Sequence, residues 1–324
     1  MSLLVFNSSN RIAQGVIRRL YGSGAYERIV CADIYPNHSA ISRFLNFKAD
    51  LKNTTSNTQI TDIKVVERAD LVSAVSSASH VLYITHDYYS LVPSKLNLIK
   101  TVAELAKKHK NVQKLVALTP IEHDHYNEKQ PAEAARTSEK EAQQINSNLV
   151  QLKSDLTFGP DSTLAHEIIT RLINKQALGL NSNASAKFIH SDNVAEVVEK
   201  ALRDDSHTGK SYLLQGQESV SLREYVHTLE QYTGEVQGGD ILHGLIAKNI
   251  LNIISERFHD PTYMNLIRLF DQYKQPTSDG FEGIENFGIS LNNFGSAYPQ
   301  KGAKIEAYKS EESGLERGIK NFLL

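Results

Sequence analysis

Short apolar runs alternate with amphipathic helical patterns along the first half of the chain. Residues 3–6 have the length of a buried strand, and residues 11–20 follow with apolar side chains on one helix face. A helix is predicted over residues 96–109, and residues 57–77 contain a short strand and helix with limits that the pattern leaves open. Four more strands are predicted, at residues 28–34, 78–85, 112–119 and 148–156. This alternation predicts an α/β fold with a Rossmann-type, doubly wound parallel sheet.

The pattern changes after Gly159-Pro160. The chain is therefore predicted to divide into a dinucleotide-binding core over residues 1–160 and a smaller, mostly helical lobe over residues 161–324, from which residues 188–215 return to the core sheet. Helices are predicted in this part at residues 163–173, 192–203 and 222–233, with Ser221 as N-cap of the last one. A strand is predicted at residues 211–215, and a short segment at residues 188–190 precedes the second helix.

Two further helices are predicted near the C-terminus, over residues 241–254 and from Pro261 to residue 273. The first has apolar positions almost all round, which is more than one core-facing stripe requires. Two interpretations stay open for its surplus face: docking on a partner subunit or membrane surface, or packing on the core of its own lobe. The positions concerned are Leu242, Leu245, Ile246, Ile250 and Ile253.

Composition narrows the class of partner. A net charge of −2 favours neither nucleic acid nor an anionic membrane. The sequence contains no run of about 18 apolar residues, so no transmembrane helix is predicted. The first predicted strand begins at residue 3, which leads us to expect no cleavable transit peptide.

The single cysteine, Cys31, lies in an apolar run, which predicts a buried and unreactive thiol. The acidic and His-rich residues 122–125 are interpreted as a solvated loop, so no metal site is predicted.

The turn at residues 7–13 stands where a dinucleotide fold places three glycines. The sequence reads Asn-Ser-Ser-Asn-Arg-Ile-Ala, so none of the three positions holds glycine. Asn tolerates positive φ better than most residues, so Asn7 and Asn10 are expected to preserve the turn. Ala13 is the smallest replacement where the helix packs on the strand. We therefore expect an intact turn with less room for a pyrophosphate.

The order of these elements over residues 3–234 resembles the extended and atypical short-chain dehydrogenase/reductases. Asp33 ends the second strand, where that family holds the adenosine ribose, and residues 49–51 resemble its adenine-side Asp-Leu element. Residues 157–160 match its Y-G-P turn, and residues 188–195 match its F-I-H-V-x-D-V-A element. The resemblance implies a Rossmann fold and a bound NAD or NADP held by Asn7, Ser8, Ser9, Asn10, Arg11, Ile12, Asp33, Asp50, Leu51, Thr85, Thr119 and Lys140.

This chain departs from the catalytic signature of that family. The family uses Y-x-x-x-K on one helix face, where the lysine lowers the tyrosine pKa and holds the nicotinamide ribose. Lys140 occupies the lysine position, but Arg136 stands in place of the tyrosine. An arginine cannot donate a proton near neutral pH. No catalytic residue is therefore assigned, although Thr119 falls at the position of the family's catalytic serine.

The choice between the two cofactors stays open. An acid at Asp33 disfavours a 2′-phosphate and favours NAD. Arg11, Arg18 and Arg19 lie close enough to the turn to favour NADP instead.

Within the family, the altered turn and the missing acid resemble the accessory subunit of mitochondrial respiratory complex I. The pattern shared with that subgroup includes the two C-terminal helices and the element at residues 283–289. This resemblance implies a non-catalytic structural subunit on the matrix side of the mitochondrial inner membrane, with other subunits as its partners. The alternatives are a cytoplasmic NAD(P)-dependent reductase or nucleotide-sugar epimerase that uses Tyr126 or Thr119 as an unusual donor, and a sensor that binds the dinucleotide reversibly.

Overall fold

The structure is a computed structural model. It describes residues 1–34, 47–48, 51, 56–65, 68–85, 98–120, 129–173, 184–234 and 280–298, with only the backbone described at 34, 64, 129–136 and 296–297. The strands are β1 (Ser2–Phe6), β2 (Arg28–Ile34), β3 (Gln59–Val65), β4 (His80–Ile84), β5 (Lys114–Pro120), β6 (Leu149–Ser154), β7 (Thr157–Phe158), β8 (Ser185–Ala186), β9 (Ile189–His190), β10 (Ser211–Leu214), β11 (Val220–Ser221) and β12 (Glu282–Gly283). The α-helices are α1 (Arg11–Ser23), α2 (Arg68–Ser76), α3 (Leu98–Lys108), α4 (Lys129–Ile145), α5 (Thr163–Ile173), α6 (Ser191–Arg203), α7 (Leu222–Thr233) and α8 (Phe294–Ala297).

Eight of the strands form one sheet in the order β12-β10-β6-β5-β4-β1-β2-β3. Every pairing in this sheet is parallel. The chain winds outward from β1 to β2 and β3, then crosses back to β4 and winds the other way. The predicted doubly wound α/β fold is therefore confirmed, and its switch point lies between β1 and β4.

Helices cover both faces of the sheet. Alternate residues of each strand point to opposite faces, so Leu3 and Val5 pack with α1 and α6, whereas Leu4 and Phe6 pack with α2, α3 and α4. A separate apolar cluster joins α5 and α7 in the region that follows β6. β10 belongs to the main sheet and α6 packs on one face of it, but the proposed division of the chain at residue 160 stays a prediction.

Residues 280–298, called the C-terminal clip below, join the two apolar clusters. Its strand β12 extends the main sheet beside β10. Ile284 and Phe287 are buried in the main cluster, whereas Phe294 and Tyr298 are buried in the second one. One short segment thus contributes to both cores, which the sequence pattern did not predict.

Two sequence interpretations fall outside the described residues. The predicted helices over residues 241–254 and 261–273 both lie there, as does the acidic and His-rich run at residues 122–125. Among the helices that the structure does describe, none combines the length and the apolar character that crossing a bilayer requires.

Candidate functional site

The turn between β1 and α1 keeps the shape that the sequence predicted, but by different means at its two asparagines. Asn7 has φ 56°, the left-handed conformation expected of it. Asn10 was expected to share that conformation, and this expectation is wrong. It has φ −66° and ψ 140°, and its side-chain oxygen accepts a hydrogen bond from the Ile12 amide at 2.9 Å. Asn10 is therefore the N-cap of α1, which explains why asparagine suits the position without positive φ.

Asp33 binds the turn directly from the end of β2. Its carboxylate accepts hydrogen bonds from the Ser8 hydroxyl at 3.1 Å, the Ser9 hydroxyl at 2.9 Å and the Ser9 amide at 3.0 Å. The two serines thus bind the same carboxylate that the resemblance assigns to the adenosine ribose. A carboxylate has about four acceptor positions, so Asp33 retains capacity for one further donor.

Two of the three arginines near the turn pair with other acids of the chain. Arg18 donates to Asp161 at 2.8 Å, in the segment that follows β7. Arg19 donates to Glu199 of α6 at 2.6 Å. The close approach of Asp161 depends on a glycine in α1, because a Cβ at Gly15 would lie 2.6 Å from the Asp161 carboxylate.

The first turn of α1 also contacts the second cluster of elements. The Arg11 guanidinium contacts Nε2 of His166 on α5. Ile12 and Leu51 are both buried in the main core, and the Ile12 amide bonds with the cap residue Asn10. Any nucleotide contact by Ile12 or Leu51 would therefore involve apolar surface rather than a free polar group. Asp50 lies outside the described residues.

Two threonines lie side by side at the carboxyl edge of the sheet. Thr85 directly follows β4, Thr119 lies near the end of β5, and the Thr85 amide donates to the Leu118 carbonyl at 2.9 Å. The register of the two strands pairs Ile84 with Leu118, so the two threonines are neighbours. Within the described part of the chain, each Oγ1 atom is buried and has no hydrogen-bond partner.

Helix α4 directs Glu139, rather than Lys140, towards the sheet. Lys140 is exposed and makes no polar contact with the residues that the structure describes. Glu139 lies 3.1 Å from the Lys153 ammonium, and both side chains are less than a tenth exposed. Gln151 donates to the same carboxylate oxygen at 3.0 Å. The Lys140 contact with a cofactor stays a prediction, and the buried pair is a feature that sequence reasoning missed.

Lys153 also connects this pair to the threonines. The β5–β6 register places Lys153 opposite Thr119. Side chains of paired residues project from the same face of a sheet, and this is the face that α4 covers. The side chain of Arg136 and all of Tyr126 lie outside what the structure describes.

His190 caps α6 beside the Gly159 turn. Its Nδ1 accepts a hydrogen bond from the Asp192 amide at 3.1 Å, and burial lowers its pKa from the ordinary value. Gly159 has φ 97°, and its amide donates to the Tyr298 hydroxyl of the C-terminal clip at 2.8 Å. A Cβ at Gly159 would lie 2.7 Å from the His190 ring. The turn that resembled Y-G-P is thus fixed by both the cap and the clip.

The single cysteine matches its prediction. Cys31 is buried in β2, and burial raises the pKa of its thiol. Such a thiol carries little thiolate and is a poor nucleophile. Among the described residues there is also no group of three or more metal-ligating side chains.

No family model matches the chain, and no curated protein does. Solved structures do match. The Citrobacter triphenylmethane reductase complexed with NADP(H) has a TM-score of 0.62 at 13% identity, over 92% of this chain and 99% of that one. The Bordetella bronchiseptica enzyme WbmH in complex with NAD+ has a TM-score of 0.60 at 10% identity, over 92% and 95%. A nucleoside-diphosphate-sugar epimerase from Staphylococcus aureus has a TM-score of 0.60 at 10% identity, over 91% and 99%. These likenesses establish the fold.

Proposed function

We propose that the protein binds a nicotinamide dinucleotide across the carboxyl edge of the sheet and acts as a reductase or epimerase of the short-chain dehydrogenase kind. The observation that carries this proposal is the pair of buried hydroxyls of Thr85 and Thr119 without partners. Buried polar groups are almost always paired, so two adjacent exceptions beside the switch point favour a site that a polar ligand completes. Proteins of the same fold that hold NAD+ or NADP(H) support this ligand class.

The residues present fit such a ligand. The N-terminus of α1 faces the edge where a pyrophosphate would lie, and helix N-termini favour phosphate. Asp33 at the end of β2 would accept a ribose hydroxyl at the adenosine end, in addition to its bonds with Ser8 and Ser9. Thr85 and Thr119 would lie at the nicotinamide end.

NAD is the proposed form of the ligand. A carboxylate at Asp33 would repel a 2′-phosphate. The three arginines that argued for NADP interact elsewhere: Arg18 with Asp161, Arg19 with Glu199 and Arg11 with His166. None of these contacts involves Asp33 at the adenosine end.

The chemistry proposed for the site depends on a hydroxyl in place of the missing tyrosine. When bound, the nicotinamide supplies hydride transfer. The Thr119 hydroxyl would donate a hydrogen bond to the substrate oxygen at which charge develops, a form of stabilisation that is strong when the donor is already in position. Lys153 opposite Thr119 would contribute a fixed cation on the same face of the sheet, held in place by Glu139.

A second candidate is a non-catalytic subunit of a mitochondrial membrane assembly that retains the nucleotide for stability. Arg136 at the position of the catalytic tyrosine favours it. In that role a bound nucleotide would stabilise the fold by mass action, and the apolar residues 241–254 would serve for docking on other subunits.

Calorimetric titration of the purified protein tests nucleotide binding first. We expect NAD to bind more tightly than NADP, and the Thr85→Val/Thr119→Val double variant to weaken NAD by about tenfold or more, which is roughly 1.4 kcal/mol. Thr58→Val is the matched control, because Thr58 is a buried threonine whose hydroxyl donates to the Tyr26 carbonyl, away from the site. Absence of binding by either nucleotide at millimolar concentration would refute the proposal.

Turnover and native mass then separate the two candidates. Aldehydes, ketones and nucleotide sugars are tested with both cofactors, on wild type and on Thr119→Val. Turnover that disappears in the variant supports the enzyme. Nucleotide binding without turnover, together with co-migration of the native protein with a large membrane complex, supports the structural subunit instead.

A further inference from the structure

A cavity lies at the amino edge of the sheet, opposite the proposed nucleotide site. Its volume is about 230 Å³. It is bounded by the end of α3, the start of β5 and the turn between α4 and β6. The polar residues that characterise it are Lys107, His109, Lys110, Gln113, Asn146 and Asn148.

The lining of this cavity contains basic side chains and no acid. Its residues include Lys107, Lys110 and Lys114, and none of them is Asp or Glu. The Lys114 ammonium is turned away, because it donates to the Asp204 carbonyl and the Asp205 carboxylate. Lys107 and Lys110 are both exposed, and among the described residues neither has a carboxylate within ion-pair distance. The cavity therefore carries two solvent-facing positive charges that are not engaged in ion pairs within the described chain.

Further polar groups supplement these charges. The Nε2 atom of His109 is buried and, within the described residues, lacks a hydrogen-bond partner. The amide side chains of Gln113 and Asn146 also line the space. Asn146 accepts a hydrogen bond from the Asn148 amide at 3.1 Å, which leaves its side-chain NH₂ group as a donor.

The walls of the cavity are held in place from outside. Gln143 donates to the Leu149 carbonyl at 3.3 Å and to the Gly209 carbonyl at 3.1 Å. Gly209 has φ 78°, and a Cβ there would lie 2.7 Å from the Ser147 carbonyl oxygen. The α4–β6 turn is thus packed against the turn before β10, so the cavity is a fixed feature of this edge.

Lysines near a helix C-terminus have an ordinary explanation, since they complement the negative end of the helix dipole. Both α3 and α4 end at this cavity, so the two ends together carry about one negative charge. Two lysines exceed that charge, and the surplus remains positive. Lys107 and Lys108 both lie in the last turn of α3, where the helix dipole favours a cation, but only Lys107 lines the cavity.

We propose that this cavity binds a phosphate group, either as free phosphate or on a small phosphorylated molecule. Lys107 and Lys110 would supply charge, and His109 and Asn146 would supply directed hydrogen bonds. Ligand sites for drug-sized molecules occupy roughly 300–1,000 Å³, so 230 Å³ suits a smaller ligand. This inference is independent of the nucleotide site, which lies at the other edge of the sheet.

The test measures the melting temperature of the full-length protein against inorganic phosphate at constant ionic strength, since a ligand specific to the folded state raises it. The test variant is Lys107→Gln/Lys110→Gln. The matched control is Lys108→Gln/Lys187→Gln, which removes the same net charge from lysines outside the cavity. We expect phosphate to raise the wild-type melting temperature, with an apparent affinity about tenfold weaker in the test variant and unchanged in the control.

Three outcomes would overturn the proposal: no response of the wild type to phosphate, an equal loss in both double variants, or a response that Lys107→Gln/Lys110→Gln leaves intact. The last result is the one expected if phosphate binds instead at the turn of residues 7–12. A parallel titration with O-phosphoserine distinguishes the source of the phosphate. Tighter binding of the ester indicates a phosphorylated small molecule, and tighter binding of the inorganic ion indicates free phosphate.

Discussion

The two ends of the proposed nucleotide site differ in how their polar groups are satisfied. At the adenosine end, Ser8 and Ser9 bind the Asp33 carboxylate through three hydrogen bonds. At the nicotinamide end, the hydroxyls of Thr85 and Thr119 are buried and, among the described residues, have no partner. The same chain therefore stabilises one end with its own side chains and leaves unsatisfied hydroxyls at the other.

This difference predicts that the two ends contribute differently to the stability of the free protein and to the affinity for a ligand. A ligand at the adenosine end must share Asp33 with two serines, so it gains less there than at an unoccupied acid. A ligand at the nicotinamide end fills hydrogen bonds whose absence costs stability in the free protein. Substitutions at the two ends should therefore change the free energy of unfolding with opposite sign.

The largest effect on the free energy of unfolding is expected at the buried pair of Glu139 and Lys153, which lies beside the nicotinamide end of the proposed site. Lys153→Met would leave the Glu139 carboxylate buried without its cation, and we expect a loss of about 3–5 kcal/mol in the free energy of unfolding. Urea denaturation measures it. Lys140→Ala is the control, because Lys140 is exposed and should change stability by less than about 0.5 kcal/mol. A larger loss at Lys140 than at Lys153 would contradict the orientation of α4.

Asp33→Ala tests the adenosine end. Three donors from Ser8 and Ser9 lose their acceptor, so the free energy of unfolding should fall by about 1–3 kcal/mol. The melting curve is recorded without nucleotide, so that binding does not contribute. If the protein is equally stable after this change, the hydrogen bonds of Asp33 do not order the turn, and the contrast between the two ends disappears.

Thr119→Val tests the nicotinamide end. The valine keeps the shape of threonine and removes an unpartnered hydroxyl, so stability should rise by roughly 1 kcal/mol. Thr58→Val should instead lose a similar amount, because the Thr58 hydroxyl donates to the Tyr26 carbonyl at 2.7 Å. Chemical denaturation of both variants without nucleotide makes the comparison. Equal losses at the two positions would show that the Thr119 hydroxyl is already satisfied in the free protein.

The first and last residues of several helices and strands were predictable, because they depend on local patterns in the sequence. β2, α5 and α7 begin and end where the apolar pattern placed them. Their periodicity is visible within a dozen residues, so no distant contact is needed to recognise it.

The contacts of the site were less predictable because they join residues far apart in sequence. Arg18 and Asp161 are separated by 143 positions. Lys153 and Glu139 are close in sequence, but they were also missed, because only the packing of α4 on β6 shows that their side chains meet. One signal was available: Gly15 inside a predicted helix indicates close approach of another group, and that group is the Asp161 carboxylate.

The smallest expected effect is a pH dependence at the N-terminus of α6. Burial lowers the pKa of His190, whose Nδ1 accepts a hydrogen bond from the Asp192 amide. The unfolded chain, with an ordinary histidine pKa near 6.5, therefore binds more protons below that pH. The contribution of His190 to stability is full above about pH 6.5 and declines as the pH falls, by less than about 1 kcal/mol at pH 6.

The measurement compares wild type with His190→Asn between pH 7.5 and 5.5. Asparagine is a good N-cap that does not titrate, so the variant keeps a cap on α6 while removing the pH dependence. The pKa values of His80 and His207 are also lowered by burial, and both residues remain in the two proteins. Their contribution cancels when one stability curve is subtracted from the other. The difference should be flat above about pH 6.5 and should favour the variant increasingly below it, because only the wild type loses its acceptor on protonation. A difference that stays flat throughout would mean that His190 remains protonated to the same extent in the folded and unfolded chain, and its role as a neutral cap would then be wrong.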